Sequence, residues 1–280
     1  MKVFSIETMR FKVDGGAMFG VVPKTMWEEK YPADFFNLCT CACRSLLIDT
    51  GEHKVLIDTG IGDKLSDEEL NHYVTNRRFD LHNSLKQYGY KADDITHVVI
   101  THLHFDHCGG SVNKTDKGEL VPAFKNAKYY ISKTHWEQAT NPNRREKPSF
   151  IESNYIPLYE NNKIVFVDDG FELIDGVKLK IFNGHTIGLL SAFVNTGEKT
   201  LVFAGDMMPA AVYVPLSWIS AYDVQPLIAI EEKQNFLKEA FENEYVIFFQ
   251  HDAYNECGTI KETQRGYRID KLGKLTDFFK

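Results

Sequence analysis

Four side chains that commonly bind metal ions fall within six residues, directly after an apolar stretch. The segment reads Ile95-Thr-His-Val-Val-Ile-Thr-His-Leu-His-Phe-Asp-His-Cys-Gly-Gly110 and contains His102, His104, Asp106 and His107. Imidazoles crowded at the end of a strand would repel one another when protonated and would lose solvation when buried. The cluster therefore predicts a shared cation beside a buried strand. We expect the paired glycines after it to allow a sharp turn.

Three more metal-binding side chains follow other apolar stretches. His185, Asp206 and His251 each come directly after a segment with the composition of a strand. Because strand ends at one edge of a pair of sheets converge, we expect these side chains to join the first cluster. Five histidines and two aspartates are too many for one tetrahedral ion, and their nitrogen and oxygen atoms suit zinc, iron or manganese. The residues therefore predict two metal ions that share a carboxylate.

Short apolar runs that end in polar or glycine-rich turns alternate with helical patterns, which indicates an α/β fold. The predicted strands are Cys43–Ile48, Lys54–Ile57, His97–Thr101, Lys128–Ile131, Lys163–Val167, Val177–Phe182, Thr200–Ala204 and Tyr245–Gln250. The predicted helices are Asp67–Tyr73, Asp80–Tyr88, Thr134–Thr140 and Glu231–Glu242. No linker of low complexity divides the chain, so we expect one domain over residues 1–280.

A faint internal repeat suggests that this domain has two similar halves. Thr-Gly-Glu at 50–52 precedes Val-Leu-Ile at 55–57, and Thr-Gly-Glu at 196–198 precedes Leu-Val-Phe at 201–203. One apolar stretch runs into His102 and another runs into His251 at a similar spacing. Two matches are weak support for a repeat, but they predict a sheet in each half.

The net charge of −7 argues against a surface that neutralises nucleic-acid phosphates. The sequence has neither the pattern of a signal peptide nor an apolar run long enough for a membrane span, so we expect a cytoplasmic protein with no membrane partner. Cys39, Cys41 and Cys43 alternate as on one face of a strand and lack zinc-knuckle spacing. We interpret them, together with Cys108, as small buried side chains.

The run His102-Leu-His-Phe-Asp-His107 resembles the His-x-His-x-Asp-His signature of the metallo-β-lactamase-fold hydrolases. Val55-Leu-Ile-Asp58-Thr-Gly60 is similar to the early strand-and-turn motif of that family. The resemblance implies a four-layer αββα sandwich, in which two mixed sheets lie face to face with helices outside. It also implies that the aspartate of the early motif holds the metal-binding loop by hydrogen bonds.

The resemblance assigns each metal ligand. His102, His104 and His185 would bind the first ion, and Asp106, His107 and His251 would bind the second, with Asp206 bridging the two. The implied cofactors are two divalent ions, with zinc first and iron or manganese as alternatives.

A water activated between two such ions would be the nucleophile, so no serine or cysteine nucleophile is needed. Asp106 or Asp206 would pass a proton to the leaving group, with Tyr213 and Tyr222 as alternative donors. Within the family, the chain is most similar to the branch of N-acyl-homoserine lactonases and methyl-parathion-hydrolase-like phosphotriesterases. This implies a small lactone, ester or phosphotriester with an apolar group. Pro209 stands where the lactonases of this branch have a tyrosine.

Three long stretches lack a regular pattern but are rich in aromatic residues: Gly15–Leu38, Asn141–Asn162 and Met207–Pro226. Ordered loops of this length are commonly functional, so we expect them to form an apolar pocket. The alternative is simple packing over a sheet edge. The candidate substrate-binding residues are Phe19, Trp27, Phe150, Tyr213, Trp218 and Tyr222.

Other functions stay open at this point. Related domains use the same signature to bind a single iron for sulfur dioxygenation of persulfides, which would leave His251 dispensable. A nuclease is disfavoured by the acidic charge, and a non-catalytic relative is disfavoured because no ligand is missing. Lactonases of the similar branch are often dimers, which suggests a homodimer.

Overall fold

The computed structural model describes residues 1–70, 73 and 79–279. Contacts between Cα atoms divide the chain into two compact units. The first comprises Met1–Arg10 and Cys43–Phe171, and the second comprises Phe11–Ala42 and Glu172–Lys280. Each unit is built around strands of a mixed sheet, so the predicted α/β class is confirmed. The prediction of a single domain stays a prediction.

Strands and helices occur along the whole described chain. The strands are β1 (Lys2–Asp14), β2 (Leu38–Asp49), β3 (Lys54–Ile57), β4 (His97–Val99), β5 (Val112–Lys114), β6 (Leu120–Pro122), β7 (Lys128–Ser132), β8 (Ile164–Val167), β9 (Glu172–Ile174), β10 (Val177–Phe182), β11 (Leu189–Asn195), β12 (Thr200–Phe203), β13 (Val246–Phe248), β14 (Cys257–Thr263) and β15 (Gly266–Gly273). The helices are α1 (Gly15–Phe19), α2 (Lys24–Trp27), α3 (Asp67–Leu70), α4 (Leu81–Gln87), α5 (Phe105–Cys108), α6 (Lys133–Thr140), α7 (Ile156–Glu160), α8 (Pro226–Glu242) and α9 (Leu275–Phe278). Within the described residues, no helix is both long and apolar enough to cross a membrane.

The first sheet has the strand order β1-β2-β3-β4-β7-β8, and β5 pairs with β6 separately. Strands β3, β4, β7 and β8 are parallel to one another, which places the ends of β3 and β4 at one edge. Side chains cap two helices of this unit: Asp80 accepts from the Asn83 amide at α4, and Ser132 accepts from the His135 amide at α6. Leu56, Val98 and Tyr129 belong to the buried core of this unit.

The second sheet has the order β15-β14-β13-β12-β11-β10-β9, and only β12 and β13 are parallel. Helix α8 begins with Pro226 in its first turn, where a missing N–H costs no hydrogen bond. Phe236 of α8 contacts the rings of Phe182 and Phe193 on β10 and β11, so the helix packs on this sheet.

The same strand connection occurs in both units, in agreement with the repeat suggested by the sequence. The antiparallel pair β2-β3 leads through α4 to the parallel strand β4. The antiparallel pair β11-β12 leads through α8 to the parallel strand β13. In each unit the strand after the helix runs toward a histidine of the predicted metal-binding set, His102 after β4 and His251 after β13.

Several elements differ from the predictions. Strands β1, β11, β14 and β15 were not predicted, and α8 begins five residues before the predicted Glu231. The start of α8 was missed because Leu227 is exposed, which breaks the amphipathic pattern. Helix α3 is described over Asp67–Leu70 of the predicted Asp67–Tyr73, and positions 71 and 72 lie outside the described residues.

Candidate functional site

The first group of donor side chains follows β4. His104 precedes the first turn of α5, and that helix carries Asp106 and His107. His102 and His107 are fully buried. The Nε2 atom of His102 lies 3.0 Å from Nδ1 of His104, and Nε2 of His107 lies 3.6 Å from Oδ2 of Asp106. The first unit therefore presents two donor pairs, which the family resemblance assigns to separate ions.

Gly109 and Gly110 have a different reason from the predicted sharp turn. Gly109 has a φ of −58°, which any residue adopts. It comes directly after α5, at the start of a 3₁₀ turn over Gly109–Ser111. A Cβ atom at Gly109 would lie 1.9 Å from the Ile61 carbonyl oxygen, and one at Gly110 would lie 2.3 Å from the Thr59 oxygen. These glycines allow the segment that follows Asp58 to contact the loop of candidate donors directly.

Asp58 fixes this loop through three hydrogen bonds. Its carboxylate accepts from the Thr101 amide and hydroxyl, both at 2.7 Å, and lies 2.9 Å from Nδ1 of His107. Because the Thr101 hydroxyl donates to Asp58, its oxygen is left to accept from Nδ1 of His102 at 3.1 Å. Both imidazoles thus carry their proton on Nδ1 and offer the lone pair of Nε2 to a cation.

Two residues that support this loop were not predicted from the sequence. The Leu103 amide, between the predicted ligands His102 and His104, donates to Nε2 of buried His135 at 2.7 Å. An oxygen of buried Glu146 lies 3.8 Å from Nε2 of His104. Neither residue follows a strand or belongs to a motif, so no sequence signal marked them.

The second group of donors lies in the second unit. Asp206 follows β12, His251 follows β13, and His185 follows β10. Oδ2 of Asp206 lies 3.3 Å from Nε2 of His185, and Oδ1 lies 3.1 Å from Nε2 of His251. Each oxygen of one carboxylate therefore faces a different imidazole, as a bridging ligand requires.

The outer nitrogens of these histidines are held in place. Nδ1 of His185 lies 2.9 Å from Oδ1 of Asp223, and Nδ1 of His251 lies 2.8 Å from the Ala42 carbonyl oxygen. With a proton on each Nδ1, both Nε2 lone pairs face an oxygen of Asp206. Two lone pairs in such contact repel unless a proton or a metal ion lies between them, so this donor set fits a metal ion. Asp223 was missed by the sequence because it lies in an irregular segment.

Backbone contacts also fix the turn that carries His185. The Glu232 carboxylate of α8 accepts from the amides of Asn183 and Gly184. Burial raises the pKa of this carboxyl group, while the two backbone hydrogen bonds oppose that effect. A Cβ atom at Gly184 would lie 2.4 Å from the Ala229 Cα, so only glycine allows the turn to approach the helix this closely.

The buried cysteines are unsuited to catalysis. Burial raises the pKa of the Cys108 and Cys43 thiols to about 12. Both thiols are protonated at neutral pH, and a protonated thiol is a poor nucleophile and metal ligand. Their positions fit the packing role expected from the sequence.

The candidate substrate-binding residues lie in different environments. Phe19 is fully buried and stacks on Trp27 and Tyr213, and its ring also contacts Trp218 edge-on. The Tyr213 hydroxyl donates to the Met18 carbonyl at 2.7 Å. Phe150, in the first unit, contacts the His104 ring with centroids 5.0 Å apart. Tyr222 is 46% exposed.

Phe19→Ala should therefore lower the free energy of unfolding by about 3–5 kcal/mol, because it leaves a cavity among these rings. Phe35→Ala is the matched control, since Phe35 is 97% exposed and its loss should change stability by less than about 0.5 kcal/mol. Denaturant unfolding followed by circular dichroism measures both variants. Equal stability of the two variants would show that Phe19 lines a pocket rather than the core.

Known proteins resemble this chain over most of its length. The model of the metallo-β-lactamase superfamily matches residues 40–251. An N-acyl homoserine lactonase of Bacillus thuringiensis is 26% identical over 224 residues, which cover 75% of this chain and 81% of the relative. A probable metal-dependent hydrolase from Staphylococcus aureus superposes with a TM-score of 0.89 at 28% identity, covering 97% of this chain and 96% of that one. The dizinc quorum-quenching lactonase AidC superposes with a TM-score of 0.80 at 22% identity, covering 96% and 93%.

These findings confirm the resemblance drawn from the His-x-His-x-Asp-His run. The matched segment begins in β2 and ends at His251, so it contains both groups of donors. The His and Asp side chains are compatible with a metal site. The chain belongs to the metallo-β-lactamase superfamily and is a hydrolase of that superfamily.

Proposed function

We propose that this hydrolase holds two divalent metal ions and cleaves a lactone, ester or phosphotriester that carries an apolar group. The proposed ligands are His102, His104 and His185 for one ion and Asp106, His107 and His251 for the other, with Asp206 shared. The observation that carries the proposal is the carboxylate of Asp206, each of whose oxygens faces Nε2 of a different histidine.

Zinc is the first choice because the structural neighbour AidC is a dizinc lactonase, and the donor set leaves iron or manganese as alternatives. The donor set consists of imidazole nitrogens and carboxylate oxygens, which suit all three ions. When bound, two such ions supply an acidic water and a Lewis acid for the substrate oxygen. The protein's own contribution is orientation: Asp58 and Asp223 hold His107 and His185 through Nδ1.

The leaving group also needs a proton. Asp106 and Asp206 are the candidates for holding and delivering it, because both carboxylates lie among the donors and neither is fully buried. The Tyr213 hydroxyl proton is already donated to Met18, and burial raises the pKa of Tyr213 well above its usual value. We therefore assign the proton transfer to an aspartate rather than to Tyr213.

The relatives support the substrate class. The Bacillus thuringiensis relative is an N-acyl homoserine lactonase, and the AidC structure contains the product N-hexanoyl-L-homoserine. A small lactone with an acyl chain is thus the first substrate to test.

We place the protein in the cytoplasm, since its five cysteines are buried and form no disulfide. The homodimer suggested by the resemblance stays a prediction, which a measurement of the molar mass in solution by light scattering would test.

The test is metal content followed by substrate turnover. Protein purified without chelators or a histidine tag should contain about two zinc, iron or manganese ions per chain by elemental mass spectrometry. It should then hydrolyse at least one of N-hexanoyl-homoserine lactone, an aryl ester and an aryl phosphotriester, and chelation should abolish this activity. One iron per chain, with oxygen uptake on a persulfide and no hydrolysis, would replace the proposal with a sulfur dioxygenase.

A further inference from the structure

Helix α8 contains a lysine that is almost completely buried. Lys233 is 2% exposed, and its Nζ donates to the carbonyl oxygens of Tyr213 at 3.0 Å, Pro215 at 3.1 Å and Trp218 at 2.8 Å. Among the residues that the structure describes, no carboxylate oxygen lies within 4.0 Å of this ammonium group. Burying an ammonium group without a carboxylate is costly, so its three hydrogen bonds must compensate.

The three carbonyl groups belong to one irregular segment, Ala211–Trp218. After a 3₁₀ turn at Ala211–Tyr213, this segment has no helix or strand to satisfy its backbone. All three protons of the ammonium group are therefore used to fix a loop that secondary structure does not fix. The loop follows Asp206 in sequence and carries Tyr213 and Trp218, two residues that the sequence made candidates for substrate binding. Both are 5% exposed and pack on buried Phe19.

We propose that Lys233 is a positioning residue that holds Ala211–Trp218 in the shape that binds substrate. It thereby sets KM and the choice among substrates, and it leaves metal binding and the chemical step unchanged. This inference rests on the proposed hydrolase function, because the loop matters for catalysis only if it borders the bound substrate.

The charge state of Lys233 should determine how many of the three carbonyl groups it holds. Only the ammonium form has three N–H donors, so a neutral amine would release at least one carbonyl. Burial lowers the pKa of Lys233 to about 7, while the negative charge of Asp223 acts in the opposite direction. The phenol of Tyr213, whose carbonyl oxygen accepts from Lys233, stays protonated because burial raises its pKa. The Ala211–Trp218 loop should therefore become less firmly held as the pH rises through about 7.

The first test compares Lys233→Met with Lys238→Met, a control on the same helix whose side chain is 66% exposed. Hydrogen exchange of a peptide covering residues 211–218 needs no substrate. Exchange should become at least about tenfold faster in Lys233→Met and should not change in the control, because one hydrogen bond to a charged group is worth about that factor. Unchanged exchange in a folded Lys233→Met protein would overturn the proposal, whatever its activity.

The second test uses kinetics on a substrate that the wild-type enzyme hydrolyses. Lys233→Met should raise KM about tenfold or more, with metal content unchanged and kcat within about threefold. A parallel loss of metal and kcat would overturn the positioning role. If the proposed function is wrong, the wild-type enzyme hydrolyses none of the substrates, while the exchange result still decides whether the lysine holds the loop.

A charge-preserving variant covers the case in which Lys233→Met does not fold. Lys233→Arg cannot lose its charge in the relevant range. The wild-type KM should rise between about pH 6 and about pH 8.5, and that of Lys233→Arg should stay flat across the same range. Identical pH profiles of KM in the two proteins would contradict the proposal.

Discussion

Asp206→Asn should remove both metal binding and activity, with the largest effect of any single substitution in this chain. The amide keeps the size of the side chain but replaces one oxygen with a donor group, and it cannot carry the charge that two ions would share. At least one imidazole would then face an N–H group instead of a carboxylate oxygen. We expect a fall in kcat/KM well beyond the roughly 10–100-fold that loss of an outer hydrogen-bond partner costs.

Asp270→Asn is the matched control for Asp206→Asn, because Asp270 forms only an exposed ion pair with Lys261 in the same unit. Elemental mass spectrometry and steady-state kinetics on the two variants measure the effect. His251→Ala extends the test, since His251 is the histidine that a site for one iron would not need. Full activity of His251→Ala would refute the assignment of two ions, and two ions per chain in active Asp206→Asn would refute the bridging role.

The candidate ligands could be selected from the sequence because each one is attached to a strong local pattern. Strands β3 and β10 have the predicted bounds. Strand β3 is a short apolar run, β10 alternates apolar residues with lysines, and both lie between turn residues. In each unit the donors come directly after such a run. The local pattern shows which residues are buried in a strand and in which direction the strand runs. These two facts are enough to place the side chains at the strand end.

The first strand shows why other elements could not be predicted. Along β1 the buried side chains are Ile6 and Thr8, and then Met9, Phe11 and Val13, so the alternation changes phase between residues 8 and 9. Because of this phase change, strict alternation of apolar and polar residues does not continue through the strand, and neither half alone predicts it. Strands β14 and β15 were missed for another reason, since most of their residues are polar and partly or fully exposed.

The supporting residues of the site could not be predicted, because they contact residues far away along the chain and the contact lies in an irregular segment on at least one side. Asp223 lies 38 positions after the histidine that it contacts, and Lys233 holds carbonyl groups 15 to 20 positions before it. Such pairings depend on how loops pack and leave no periodic trace in the sequence. Asp58 is the exception, because it lies at the end of β3, within a motif that the family resemblance marked.

Asp58→Asn should lower metal affinity by about 10–100-fold while leaving the backbone intact. Asp58 has a φ of 58°, and asparagine adopts this left-handed conformation more readily than most residues. The Asn oxygen can still accept from the Thr101 amide, but the Asn amino group would then face the Thr101 hydroxyl and Nδ1 of His107. To avoid two opposed donors, His107 would move its proton to Nε2, the atom proposed to bind metal.

Asp223→Asn should act in the same way on His185, because Nδ1 of that histidine faces Oδ1 of Asp223. Asp93→Asn is the control, since Asp93 forms an exposed ion pair with Lys125. Competition with a chelator of known affinity measures metal binding in all three variants, and thermal unfolding of the chelated proteins measures stability. Affinity equal to that of the control would mean that neither carboxylate selects the histidine tautomer. A loss of stability without a loss of affinity would mean that both act only in folding.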